Sequence, residues 1–189
     1  MLHRPTPFVL VVRLFTALPV RRFVRASAAG TSVEFALLAA PFVAALFAIL
    51  QTALVFLAGQ TLETAAAASA RLVLTGQAQI NGWSAAQFKQ QVCNQIHGIF
   101  NCSGGLYVDV ETYPSFTSVN LGLPVASGSL NTSSLGYNPG GPGDIVMLRL
   151  YYKYPVYVNL LGFNIGNLNG GFDLLAATAI FRNEPYASS

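Results

Sequence analysis

The sequence predicts an α+β protein in which one long N-terminal helix of membrane-spanning character continues into an exported domain with a second helix and an antiparallel β-sheet. Three observations carry this reading. Between Glu34 and Glu63 no charged residue or histidine interrupts the chain. At about 1.5 Å of rise per residue, the apolar run Phe35–Ala58 exceeds the roughly 20 residues that a hydrocarbon core requires. From Leu106 onward hydrophobicity alternates with a period of two, the mark of strands with one face buried. The composition agrees, because 53 % hydrophobic and 9 % charged residues over 189 positions suit one span plus one small domain better than a soluble domain alone.

Residues 1–30 form a basic leader. Arg4, Arg13, Arg21, Arg22 and Arg25 all lie there, and no acidic residue precedes Glu34. Basic flanks stay in the cytoplasm, so the net charge of +3 marks topology and no nucleic-acid partner is expected. A conventional secretory signal would place its apolar core directly before the cleavage site. Here Phe8–Val12 ends at Arg13, and Arg21–Arg25 separates it from the small residues Ala26–Ala29. Ordinary cleavage at those alanines is therefore the weaker reading.

Residues 31–76 are assigned to the membrane helix and its outer extension, a rod from about Thr31 to Thr75. Thr31-x-x-Glu34 has the form of a capping box, which satisfies free amides of a first helical turn. Ala36, Ala40, Ala44 and Ala48 recur every four residues, either as a small-residue face for another helix or as alanine-rich composition. Pro41 removes one helical hydrogen bond and should bend the helix. Gln51 is the one amide in the apolar core of the span, either a buried contact or a residue near the far interface. Beyond the membrane, Leu62, Ala65, Ala66, Ser69, Leu72 and Val73 share one side, as on a helix that packs against a domain. Gly76 is a favoured residue just past a helix end.

Residues 77–189 read as the exported α+β domain. A short linker, Gln77–Gly82, leads to Ser84, the expected N-cap of a second helix that reaches about Phe100. Cys93 and Cys102 are the only cysteines, and in an oxidising compartment a disulfide is their expected state. His97 between them gives Cys-x3-His-x4-Cys, but three ligands without a fourth make no metal site. Strands are expected over Leu106–Tyr113, Asp144–Asn159 and Phe172–Arg182, with a turn over Leu160–Gly171. Asp109 and Glu111 share a strand face that reads as solvated charge. Residues 114–143, rich in serine, glycine, asparagine and proline, form a long loop, either a partner-contact surface or a mobile excursion. The sequons at Asn101 and Asn131 are compatible with surface positions. No catalytic constellation, phosphate loop or cofactor motif is legible, so neither an enzyme nor a small-molecule substrate is expected.

A basic leader, a glycine, and a glutamate opening a long apolar helix is the layout of a type IV prepilin. The run Gly30-Thr31-Ser32-Val33-Glu34-Phe35-Ala36-Leu37 with Ala40-Pro41, the continuation to Ala70-Arg71-Leu72, and the closing Arg182-Asn183-Glu184-Pro185-Tyr186 resemble the TadE-like pseudopilins of the tight-adherence (Tad, or Flp) pilus system. The first of these is the specific one. The resemblance implies a pilin-like, non-enzymatic inner-membrane protein with a cytoplasmic N-terminus and a periplasmic domain, which helps to assemble a surface pilus. It also implies partners: a prepilin peptidase, other pseudopilins or pilins, and the Tad assembly platform. The leader would be cut between Gly30 and Thr31, which makes Glu34 the fourth residue, or between Ala29 and Gly30, the register that places the glutamate fifth as is usual in the family. Glu34 and Phe35 would then act in assembly. A permanently anchored, uncleaved adaptor that scaffolds an envelope complex is the alternative.

Overall fold

The computed structural model describes residues 27–96, 100–156 and 166–186. Helix α1 spans Ser27–Leu74 and is followed by the single turn α2 (Gln77–Ile80), helix α3 (Ala85–Gln95) and the turn α4 (Cys102–Gly105). Then come β1 (Leu106–Tyr113), β2 (Val125–Ala126), β3 (Ser129–Leu130), β4 (Ile145–Pro155) and β5 (Phe172–Arg182). The class is α+β, as the sequence predicts. The chain divides into two compact units, Met1–Leu46 and Phe47–Ser189. The N-terminal part of α1 belongs to the first; its remainder and the other elements make up the second.

Helix α1 is already formed at Ser27, the first described residue and upstream of the expected Thr31; Ala28 and Ala29 are strong helix formers. Thr31 is therefore not at an N-cap position. Thr31 and Glu34 lie inside the helix, whose first turn holds no acidic residue. Pro41 is likewise inside this continuous helix, where it leaves the Leu37 carbonyl without its usual donor.

The far end of α1 closes as the sequence predicts. Gly76 has φ +76°, the left-handed conformation that suits glycine just past a helix, and its N–H donates to the Val73 carbonyl at 3.0 Å. No other residue fits, because a Cβ at Gly76 would run into the Tyr186 ring. The Glu184 N–H donates to the Leu74 carbonyl at 2.9 Å, so the closing Asn183–Tyr186 segment seals the helix end. The expected linker Gln77–Gly82 is in part helical, as α2.

Ser84 caps α3 through a full capping box with Gln87. The helix stops at Gln95, short of the expected Phe100, and the disulfide explains why. Cys93 and Cys102 are bonded with Cα atoms 5.8 Å apart at a sequence separation of 9, whereas a helix would separate them by about 13.5 Å.

Strands β1, β4 and β5 form an antiparallel sheet in the order β1-β4-β5. Strands β1 and β5 have the expected limits, and β4 occupies most of the expected Asp144–Asn159; residues 157–165 lie outside the described residues, so the expected turn is seen only from Gly166 onward. One sheet face packs on the outer part of α1 and on α3. There Ala58, Leu62, Ala65, Ala66 and Val73 join Phe88, Val92, Val110, Val146, Leu148 and Leu150 in one buried cluster. The helix side expected to face a domain is the buried side, with Ser69 included and Leu72 partly covered. Its alanines bring helix and sheet close, while each fully buried leucine or valine contributes about 1.5–3 kcal/mol. The opposite face carries Tyr151 and Leu174, covered by Leu130 and Leu168.

Candidate functional site

The first candidate region is the N-terminal part of α1. It belongs to a candidate span, Ser32–Leu74, whose best window reaches a mean hydropathy of 2.3. Val33, Phe35, Leu37, Leu38, Phe42 and Phe47 are all exposed, Phe35 at 73 %. A helix that is apolar all round and unburied needs either lipid or protein around it. Such a helix suits single-pass anchoring in a membrane. Glu34 sits exposed within this apolar surround, where a carboxylate is costly unless interfacial water or a partner compensates it.

Around the expected cleavage site the backbone is helical on both sides of the Gly30–Thr31 bond, and on both sides of Ala29–Gly30. A Cβ at Gly30 would meet nothing within 4 Å. Neither crowding nor φ therefore requires glycine here. What glycine does at this position is weaken the helix, by about 1 kcal/mol relative to alanine. Of the alanine stripe, Ala36 and Ala40 are exposed while Ala44 and Ala48 are half-buried. Gln51 resolves to a buried residue, 4 % exposed, with an Nε2 that has no partner among the described residues.

The second region is on the sheet and was misread from sequence. Asp109 is not solvated charge; it is 1 % exposed. It lies directly across from Arg149 in the β1–β4 register. The Arg149 Nε and Nη2 groups donate to Asp109 Oδ2 at 3.0 and 2.7 Å. Oδ1 accepts the Gly136 N–H at 2.8 Å, while Arg149 Nη1 donates to the carbonyls of Asn120 and Gly122 at 3.3 and 3.1 Å. Glu111 completes the group, its Oε2 lying 3.6 Å from Arg149 Nη2 and accepting the Tyr113 hydroxyl at 2.5 Å. Burial first, then this hydrogen bond, pushes the Tyr113 hydroxyl pKa up.

A buried ion pair is tolerable when its remaining donors and acceptors are satisfied, and here the long loop satisfies them. Residues 114–143 contain no charged residue, yet they are fixed to the sheet at three points by one Asp–Arg pair. The Gly136 contact continues into a bridge between Val110 and Tyr137. Strands β2 and β3 form a small hairpin within the loop. Phe116, Leu121 and Leu123 remain exposed on it. An acid and an arginine at facing positions of two predicted strands were the available signal, but their register is not written in either strand alone.

Cys93 and Cys102 form the expected disulfide. As a disulfide they offer no thiolates, which removes the sulfur ligands from Cys-x3-His-x4-Cys; His97 itself lies outside the described residues. Among the described residues no group of three or more His, Cys, Asp or Glu side chains is placed to hold a metal.

Residues 30–71 match the family model described as TadE-like protein. The match begins at Gly30, takes in Glu34 and the alanine stripe, and ends on the outer part of α1, so it covers the specific first stretch of the resemblance but not the closing Arg182–Tyr186 run. It associates the chain with the Tad pilus system. No curated protein and no solved structure matches the chain.

Proposed function

We propose that this chain is a minor pseudopilin or assembly component of a Tad/Flp-type pilus, held in the bacterial inner membrane by α1 with its N-terminus cytoplasmic and its sheet domain periplasmic. The observation that carries the reading is where the family match starts: at Gly30, the glycine that neither packing nor backbone angle demands. In this reading a prepilin peptidase removes residues 1–30. A peptidase needs a locally opened backbone, and a helix-weakening glycine beside the scissile bond provides one. Glu34 and Phe35 then lie in the first turns of the mature helix. There the carboxylate meets the new amine of a neighbouring pilin or pseudopilin, in surroundings where either charge alone is costly. The stripe Ala36, Ala40, Ala44 and Ala48 lets that neighbour's helix approach. The Cys93–Cys102 disulfide suits an oxidising periplasm. The chain acts by contacts, with no cofactor, no nucleic acid and no substrate turned over.

The uncleaved-anchor reading draws on one observation, that α1 is helical across the candidate bond. Mass spectrometry of the protein purified from its native membrane separates the two. A mature N-terminus at Thr31, or at Gly30 in the family register, is expected; an intact Met1 in cells with active prepilin peptidase would leave the static anchor. With processing established, Glu34→Gln should leave protein level and leader removal near normal while pilus assembly falls sharply. Normal piliation in that variant would remove Glu34 from the assembly role.

A further inference from the structure

The chain holds two Asn–Gly pairs, Asn81-Gly82 and Asn169-Gly170. Asparagine is thermolabile, most of all before glycine, whose backbone nitrogen can attack the asparagine side-chain carbon with no Cβ in its way. The two pairs are placed differently. At the end of α2 the Gly82 N–H donates to the Gln79 carbonyl at 3.0 Å, Asn81 has a right-handed helical conformation, and its Nδ2 donates to the Gln77 carbonyl at 2.7 Å. Nucleophile and leaving group are both engaged there. Asn169 and Gly170 lie exposed in the turn between Leu168 and Phe172, where the Gly170 N–H has no partner among the described residues.

Asn169 also has a mechanical task. Its N–H donates to the Gly128 carbonyl at 2.8 Å and its Nδ2 to the Ser127 carbonyl at 2.7 Å, so one residue clasps the tip of the β2–β3 hairpin. A Cβ on Gly128 would run into the Asn169 side chain. Among the described residues Ser127 alone has a positive φ, +51°, without being glycine, a conformation such residues seldom adopt. Below the tip only two residue pairs, Val125 with Leu130 and Ala126 with Ser129, hold the hairpin together. A strained conformation persists where its surroundings enforce it, and here the Asn169 amide is the enforcing group.

We infer that Asn169 is a deamidation site whose conversion unclasps the hairpin. Local opening of the exposed clasp frees the side chain. The Gly170 nitrogen, having given its proton to hydroxide, bonds to Asn169 Cγ; the Cγ–Nδ2 bond breaks, and Nδ2 leaves as ammonia with a proton from water. Water then opens the cyclic imide. Breaking the new N–Cγ bond gives aspartate, while breaking the bond from Gly170 N to the Asn169 main-chain carbonyl carbon gives isoaspartate and a longer backbone in the turn. No electrons are transferred, and the sum is asparagine plus water to aspartate plus ammonium. Either product removes the donor from Ser127 and leaves its carbonyl facing a carboxylate, an opposition of two acceptors. It also sets a negative charge against residues 114–143, which carry none.

The test ages the full-length protein, purified in detergent, in mildly alkaline buffer and follows both Asn–Gly peptides by mass spectrometry. The expected result is the mass gain of NH2 exchanged for OH at Asn169, with both aspartate and isoaspartate among the products. Its rate should exceed that at Asn81 by at least about fivefold, the rate equivalent of one net hydrogen bond. In parallel, Asn169→Asp should raise amide exchange over residues 125–131 while β4 and β5 keep wild-type protection. Aged wild-type protein, separated by charge from the unmodified form, should show the same change. It carries this arm if the variant loses the Cys93–Cys102 bond or the protection of β4 and β5. An unmodified Asn169, aspartate alone, a smaller rate ratio, or hairpin exchange unaltered by the new charge overturns the proposal. Absence of the protein from pili would change none of these readouts, so the two readings fail separately.

Discussion

The sheet is covered on both faces, and the two covers are held by different forces. Under α1 and α3 the contact is apolar, from Leu62 and Val73 to Leu148 and Leu150, and apolar attraction is large but has little direction. Over the other face lies a charge-free loop, held in register by Asp109 and Arg149 through the Gly136 N–H and the carbonyls of Asn120 and Gly122. The ion pair contributes little net stability once desolvation is counted. It does contribute position, since each of its bonds has one donor and one acceptor. The helix side thus keeps the domain folded, and the loop side keeps one stretch of surface, with Phe116, Leu121 and Leu123, in one place.

Breaking the loop side should have the largest effect. Arg149→Met leaves the Asp109 carboxylate buried and unpaired, and should cost about 4 kcal/mol. The double variant Asp109→Leu with Arg149→Met removes both charges and should unfold at a higher temperature than the single one, while the loop loses its fixed position. Thermal scans of the full chain in detergent, with loop mobility followed by amide exchange, test both halves. On the helix side, Leu62→Ala should cost about 3 kcal/mol by opening a cavity, with loop exchange unaltered. If Leu62→Ala instead loosened the loop, the two faces would be one cooperative unit.

Removing the disulfide with Cys93→Ala and Cys102→Ala sharpens the comparison, because both sulfurs border the helix-side cluster. The short loop closed by the bond limits the loss to about 2–3 kcal/mol, read as a drop in unfolding temperature without change in the loop. The smallest effect is alkaline. Tyr137 borders the helix-side cluster and Tyr151 lies on the loop side, and burial pushes both hydroxyls up to about 12. Because the folded values lie above the unfolded value near 10, the stability linked to these groups is intact below pH 10 and declines as pH rises towards 12. Titration of tyrosinate absorbance should show these two ionising late among the eight tyrosines; an earlier step for either would mean that its face admits water.

What the sequence made legible follows from how local the cause was. The strands β1 and β5, the Ser84 cap and the Gly76 stop are each set by a few neighbouring residues, and the long helix by a long apolar run. The reach of α1 upstream of Thr31 was missed because a capping motif there is silent about helix formers lying before it. The end of α3 was missed because a covalent bond to Cys102 overrode helix propensity. Asp109 was misread for a deeper reason: its burial is made by a loop with no periodicity, through a register set by a third segment. Of the candidate site, the reading of the leader boundary and of Glu34 draws on residue types in order alone, whereas the Asp109–Arg149 anchor required the fold.

The closure at Gly76 is also a mechanical joint. Leu74 is held by Glu184, and Gly76 by the Tyr186 ring; Asn183 Nδ2 binds the carbonyls of Pro139 and Gly141 at 2.9 and 3.0 Å, and Gln79 Nε2 binds Pro139 at 2.8 Å. Tension drawn along the end of α1 therefore leaves the helix by several routes at once, through the segment after β5 and the end of the long loop as well as along the next covalent bond. Elements loaded in parallel share the force, so each carries only part of it. A pull on the helix is thus delivered to the sheet domain without first unravelling the turn that joins them.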